Sequence, residues 1–467
     1  MGLLTRKLLN NKIVGEMIAP QSDAILNRYL ICDALSGFKA QIECTNASKD
    51  IRTLKRCISN LGIGQDEPMW ENFTYRVDCK TSEAAYKFLL PIACALGKKC
   101  IYELDGNLMF SDMDPFYKIL RTHGIKSEKI REDQIKVTGQ LTGGTYIFPG
   151  DTDGQTLSGL LMALPLIKNK STVMVENIPQ SEPYVEMTVD IMKKSGIHID
   201  VLKDQNGVSY VYKIPGEQKY DLASKINVEG DWALASYFFA GAAICGTSVT
   251  CTNLNLDTLQ GDARFLNILR LFGAKVSWTE HQKIDAYEDN AGIFWSDVTV
   301  EGGHLNAVNI DATDIPQLLG PVMLLASCAE GVTIIKNASS LKLGKQRVEN
   351  MIKAMADIGC RITELDDGIL IEGSCGRPLT GGRVKSCNDY NIAMMTAIAS
   401  CICDEPVVIE QADAVDRAYP DFFDVLDSMK KVPPLKCFGV PSSGHDSLDD
   451  NALDAPQSAP GSLRDNI

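Results

Sequence analysis

The segment Pro20-Gln21-Ser22-Asp23-Ala24-Ile25-Leu26-Asn27-Arg28 sets a hydroxyl, a carboxylate and a guanidinium around the start of an apolar run. Ser or Asp in such a place caps a helix, and the unpaired backbone N–H groups of a helix start attract anions. Arg28 adds positive charge one turn in. This arrangement can hold a phosphate or a carboxylate; the same residues also suit an ordinary capped helix with a surface arginine. Metal chemistry has no comparable support. The five histidines (His123, His198, His281, His304 and His445) stand at no ligand spacing from one another or from a cysteine. The fifteen cysteines include no CxxC pair, the closest two being Cys401 and Cys403. They read as free, mostly buried thiols of a reducing, cytoplasmic setting.

One pattern indicates what positions these side chains. An amphipathic helix ends in glycine, an apolar residue follows, and a strand-like stretch comes next. The ends are Leu61-Gly62-Ile63, His123-Gly124-Ile125, Ser195-Gly196-Ile197, Phe272-Gly273-Ala274 and Ile358-Gly359-Cys360. Glycine closes a helix because it takes the left-handed conformation without a Cβ clash. A sixth helix, about Pro420 to Lys431, lacks its glycine. Three ends precede residue 230 and three follow it, which predicts a duplicated supersecondary unit and two lobes. A length of 467 residues also exceeds what one ordinary core accommodates.

The net charge of −14 argues against a nucleic-acid partner, although an acidic protein can still carry a local basic pocket for a small anion. The opening residues lack an apolar signal region. Ile315 to Ala329, the longest uncharged apolar run, is too short to span a membrane and reads as a buried helix. Residues 433–467 are rich in Pro, Ser, Asp and Gly and read as a disordered acidic tail.

Beyond these local readings, nine short stretches resemble, in order, motifs of the EPSP synthase family. Pro20 to Arg28 is similar to P-G-S-K-S-x-S-N-R, and Ser82 to Lys87 to A-G-T-A-M-R. Met113-Asp114-Pro115 falls where the family has R-P-M-G-P, and Gln155 to Met162 is similar to S-S-Q-F-x-S-A-L-L-M. Ser181 to Tyr184 resembles S-x-P-Y, Gly230 to Phe238 resembles G-D-x-S-x-A-x-Y-F, and Gln260-Gly261-Asp262 matches Q-G-D. Asn388 to Met394 resembles N-D-H-R-x-A-M, and Arg417 to Phe423 resembles K-S-Y-P-x-F-F.

The resemblance implies an α/β (α+β) fold of two lobes, each of three βαβαββ units, an inside-out α/β barrel. Residues 1–19 with 230–432 would form lobe 1 and residues 20–229 lobe 2. It implies transfer of the enolpyruvyl (carboxyvinyl) group of phosphoenolpyruvate to a hydroxyl of shikimate 3-phosphate or a related acceptor, by a cytoplasmic monomer with no metal and no organic cofactor. A related family acting on UDP-N-acetylglucosamine carries a cysteine in its first lobe; Tyr102 to Arg121 contains none.

Carried over by position, Ser22, Arg28, Gln155, Ser181 and Tyr184 would face the acceptor, and Lys87, Arg347 and Arg417 the phosphoenolpyruvate. Other positions depart from the pattern. Asp23 stands where the family has lysine, and Asp153-Gly154 replaces a serine pair that donates to phosphate. Ser111-Asp112 replaces an Arg-Pro pair, and Asn391 replaces an arginine. Gln317 replaces the aspartate of a Pro-Asp motif, and Gly344 falls where a glutamate belongs. Asp314 and Lys345 are the residues nearby that could compensate. Losing one clamp or base costs about 10² to 10⁴ in rate, so a second reading is a non-catalytic paralogue that keeps the fold for ligand binding or regulation.

Overall fold

The computed structural model describes residues 4–45, 47–64, 73–149, 153–176, 182–203, 209–282, 294–313, 315–338 and 345–430. The proposed tail, 433–467, lies outside them. Buried apolar side chains form two separate cores. One gathers Leu8, Ile13, Met17 and Ala19 with residues from Trp232 to Met429. The other runs from Ile25 to Val228. The chain thus passes between lobes twice, and the two passages lie side by side. Ser22 N donates to the Glu229 carbonyl at 2.9 Å, and Asp231 N to the Pro20 carbonyl at 2.7 Å.

The lobe around the second core carries α1 (Asp23–Ser36), α2 (Lys49–Asn60), α3 (Glu83–Ala95), α4 (Asp114–Arg121), α5 (Gly154–Ala163) and α6 (Glu182–Lys194). The other carries α7 (Trp232–Cys245), α8 (Phe265–Phe272), α9 (Leu319–Cys328), α10 (Lys345–Asp357), α11 (Tyr390–Ala399) and α12 (Phe422–Ser428).

The βαβαββ unit is directly visible. Thr74–Lys80, α3, Lys99–Leu104, α4, Ile125–Arg131 and Gln134–Gly139 form one. Its first two strands pair parallel, the fourth joins the second antiparallel, and the third takes the edge beside the fourth. The same order recurs in the sheets that contain Thr145–Pro149, Gly15–Ile18 and Ile310–Asp311 as first strands. Gly15–Ile18 comes from the beginning of the chain, yet it pairs with Ser248–Leu254. Thr5–Leu8 likewise pairs antiparallel with Val407–Glu410.

Within each unit the two helices differ in kind. The first is the more enclosed: all ten residues of α9, nine of ten in α5 and in α11, and twelve of thirteen in α3 are buried, while α1 has eight of fourteen. The second lies outside, with one apolar stripe inward, as α2 and α8 show. The helix ends read from the sequence belong to these outer helices, and their five glycines all have positive φ. At Gly273 the need is also steric, because a Cβ there would stand 2.5 Å from the His304 carbonyl oxygen. The Ile315–Ala329 run folds as a 3-10 turn, Pro316–Leu318, followed by α9. Among the described residues no helix is long and apolar enough to cross a membrane.

Candidate active site

The enclosed helices bring their N-termini to the face where the lobes meet. Ser22 and Asp23 begin α1, Ser82 and Glu83 begin α3, and Asp153 precedes α5. From the opposite lobe come Asp231 before α7, Gln317 before α9 and Asp389 before α11. An enclosed helix has few polar neighbours, so its first N–H groups need a partner at this end. Aspartates supply three: Asp153 accepts from Thr156 N at 3.1 Å, Asp231 from Leu234 N at 2.9 Å and Asp389 from Asn391 N at 2.9 Å.

At α1 the expected cap is not made. Ser22 takes the cap position without a side-chain hydrogen bond. The Asp23 carboxylate is drawn sideways and accepts from Ser48 Oγ at 2.6 Å. Ser22 Oγ is fully buried without a hydrogen-bond partner, although it lies near enough to Asp231 to favour that group's ionised form. Arg28 is not a surface arginine; it is 2% exposed. Its Nε donates to Thr188 Oγ1 at 2.7 Å, one terminal nitrogen to the Ala24 carbonyl at 2.6 Å, and the other to the Tyr184 carbonyl at 2.9 Å. The guanidinium stands over Phe88. Burial pulls its pKa down to about 10, and it remains a cation held by neutral acceptors.

Two further cations are buried in this lobe, each 7% exposed: Lys98 donates to the Tyr75 hydroxyl, and Lys87 stands on α3. Its Nζ lies 2.7 Å from Glu83 and 3.2 Å from Asp153. Burial opposes its charge, but Asp153 and Glu83 outweigh burial and its pKa is raised. Burial likewise opposes ionisation of Asp153, and Lys87 with Thr156 prevails, so that carboxyl is held below its usual range. Gln155 stands beside it with Oε1 buried and without a partner.

Side chains join the lobes at several described positions, among them Lys49 and Asp416, 3.1 Å apart. Tyr184 donates to Asp262 at 3.0 Å, while Arg417 stands 3.8 Å from Asp50 and donates to the Thr81 carbonyl at 3.5 Å. The Arg417 Nε is buried without a partner. Arg347 grips Asp389 in a two-pronged ion pair and lies over Tyr390. Tyr390 in turn donates to Gln317 Oε1 at 3.4 Å. Asn391 turns inward and accepts from Tyr237 at 2.8 Å.

Charge influence links these groups into one site. Asp231 and Asp50 both act on Asp23, and Asp262 acts on Asp231. Glu83 and Arg417 act on Asp50, while Arg347, Arg417 and Asp231 act on Tyr390. Ser22, Asp23, Lys87, Tyr184, Gln317, Arg347 and Arg417 are therefore brought together. Ser111 and Asp112 make no described contact with this web, and Asp112 instead accepts from Asp114 N. Ser181, Asp314 and Gly344 lie outside the described residues, and Lys345 begins α10. Sequence reasoning assigned no role to Asp50, Asp231, Asp262, Asp389 or Tyr390. The signal for four of them was their place inside or beside motif stretches; Asp50 had only a capping serine, Ser48, two residues before it. No group of three or more His, Cys, Asp or Glu among the described residues is arranged to hold a metal ion.

Burial raises the pKa of Asp231 to about 7 and that of Asp50 to about 6, and it raises Asp23 and Asp262 as well. Unfolded carboxylates titrate near pH ~4. Above that value the folded protein holds more protons than the unfolded one. The stabilising contribution of these four groups is thus complete at low pH and lost as pH rises through their folded values. Thermal stability is expected to fall from roughly pH 5 to 8. Asp231→Asn, which keeps a capping oxygen, should flatten the fall. Melting curves across that range check this, and an unchanged slope in the variant counts against it.

The sequence profile of the EPSP synthase (3-phosphoshikimate 1-carboxyvinyltransferase) family matches residues 9–426. The chain is 32% identical over 438 residues to the 3-phosphoshikimate 1-carboxyvinyltransferase of Brachyspira hyodysenteriae, a match covering 91% of this chain and 99% of that protein. It is 30% identical to the enzyme of the same name from Clostridium acetobutylicum, covering 89% and 95% of the two chains. In fold it is similar to EPSP synthase from Acinetobacter baumannii, with a TM-score of 0.72, 20% identity and coverage of 91% and 98%. It is also similar to the enolpyruvyl transferase NikO from Streptomyces tendae, with a TM-score of 0.68, 14% identity and coverage of 91% and 97%. The chain belongs to the EPSP synthase family of enolpyruvyl transferases.

Proposed function

We propose that the chain transfers the enolpyruvyl group of phosphoenolpyruvate to a hydroxyl of shikimate 3-phosphate or a related acceptor bound between its lobes, residues 1–19 with 230–432 and residues 20–229. The family match along residues 9–426 carries this reading. The acceptor oxygen bonds to C2 of phosphoenolpyruvate as the hydroxyl loses its proton and C3 gains one, giving a tetrahedral adduct. Loss of phosphate from C2 and of a proton from C3 restores the vinyl group. The protein must therefore bind anions and move protons twice.

Gln317 is a neutral amide and cannot act as a base. Asp231, with its pKa pushed up to about 7 in the cleft, is the described carboxylate best matched to accepting and returning a proton near neutral pH. Arg347, Arg417 and Lys87 supply positive charge, each already shared with a carboxylate.

The inward turn of Asn391 and the amide at Gln317 favour a second reading, a non-catalytic paralogue that binds ligand without turnover. Release of inorganic phosphate from phosphoenolpyruvate, measured with and without shikimate 3-phosphate or shikimate, separates the two. Transfer predicts acceptor-dependent release together with an enol ether product seen by mass spectrometry. Ligand binding without release at high protein concentration selects the second reading.

A further inference from the structure

We propose that Asp153 fills, with its own carboxylate, the anion-binding position at the start of α5, and that the acceptor taken by this cleft therefore carries no phosphate there. Three donors converge on one oxygen, Asp153 Oδ2. They are Thr156 N at 3.1 Å, Thr156 Oγ1 at 2.9 Å and Lys87 Nζ at 3.2 Å. A helix start, a hydroxyl and a buried ammonium together make the kind of receptor that binds a phosphate or carboxylate. Here the chain itself provides the anion. Glu83 adds a second carboxylate 2.7 Å from the same ammonium, so the cluster of one cation and two carboxylates is net negative. A phosphate dianion approaching it meets repulsion, and two of the three ammonium donors are already taken.

The framework holds this arrangement in place. At Gly159 a Cβ would stand 2.4 Å from the Lys87 carbonyl oxygen, so α3 and α5 are in close contact just beyond the cluster. Lys87 cannot move away from Asp153 by separating the helices. Arg28, also buried in this lobe, offers no substitute. Its Nε and both terminal nitrogens are already engaged by Thr188, Ala24 and Tyr184. Gln155, one position into α5, presents a buried Oε1 that lacks a donor. That oxygen can accept from a ligand hydroxyl. Together these features select an uncharged, hydroxyl-bearing acceptor over its phosphate ester. Asp153 becomes the residue that sets this preference. The inference rests on the proposed binding of an acceptor between the lobes, but its test needs only binding.

Calorimetric titration of the full chain with shikimate 3-phosphate and with shikimate tests it, comparing wild type, Asp153→Ser and Asp153→Asn. Asparagine keeps a capping oxygen and removes only the charge, so it guards against a serine variant that fails to fold. Wild type is expected to bind shikimate 3-phosphate no more than about threefold more tightly than shikimate. Asp153→Ser should bind the phosphate ester at least about tenfold more tightly than wild type does, with shikimate affinity nearly unchanged, and Asp153→Asn should gain in the same direction. A wild type that prefers the phosphate ester by tenfold or more overturns the inference. So does the absence of any gain in both variants when their near-ultraviolet circular dichroism matches wild type, including the case in which no protein binds either ligand. A gain in binding without phosphate release from phosphoenolpyruvate keeps the specificity inference and removes the transfer reading.

Discussion

Arg28→Ala is expected to destabilise the protein by about 2–4 kcal/mol, the cost of a large truncation that also leaves buried acceptors unpaired. The guanidinium joins α1 to α6. It satisfies the carbonyls of Ala24 and Tyr184 and the hydroxyl of Thr188, and it covers the face of Phe88. Alanine removes the donors and opens a cavity. Because Tyr184 reaches Asp262 in the other lobe, the loss should also weaken contact between lobes. Arg28→Met separates the contributions: it restores volume without donors, so it should recover part of the loss but not all of it. Urea denaturation of the three proteins measures these differences. An Arg28→Ala midpoint equal to wild type, with unchanged denaturant dependence, contradicts the assignment.

The second large effect is expected at Asp389. Its carboxylate pairs with both Nε and a terminal nitrogen of Arg347 and also accepts from Asn391 N at the start of α11. Asp389→Ala leaves a largely buried guanidinium without its partner and removes a cap, for a loss of about 3–5 kcal/mol. Asp389→Asn retains a cap and loses only the ion pair, so it should cost less. Combining Asp389→Asn with Arg347→Met removes both charges and should restore stability relative to Asp389→Asn alone, since an unpaired charge costs more than none. If the two changes add, Arg347 and Asp389 do not depend on each other as this geometry requires.

These two sites illustrate what could be read in advance. The glycine-terminated outer helices were legible because a left-handed glycine leaves a local mark, as at Gly273 and Gly359. The enclosed helices were harder to read. A segment buried on nearly every side, such as α11, has no polar face and so loses the 3.6-residue period that identifies a helix. Ordered motifs supplied the fold that periodicity alone could not.

Within the site, residue types were visible but their partners were not. Nothing near Lys87 in the sequence points to Asp153, which comes from the next helix start. The side chain of Asn391 could have faced ligand or core, and Tyr237 determines that it faces the core. Asp23 looked like a simple charge reversal. Ser48, Asp231 and Asp50 instead make it part of a carboxylate group whose pKa is raised mainly by burial.

The pairing of Thr5–Leu8 with Val407–Glu410, and of Gly15–Ile18 with Ser248–Leu254, has a consequence during synthesis. The residues around Ile25–Val228 form a continuous insertion and can collapse on their own core while the ribosome is still translating the rest. The two opening strands must wait. Thr5–Leu8 has no native neighbour until nearly the entire polypeptide has emerged, and closing so long a loop is slow. Through that interval the growing chain carries an unpaired strand ahead of the first-folding lobe, which is the form in which sheet edges recruit foreign strands. The last sheet to close is thus held together by residues made before either core.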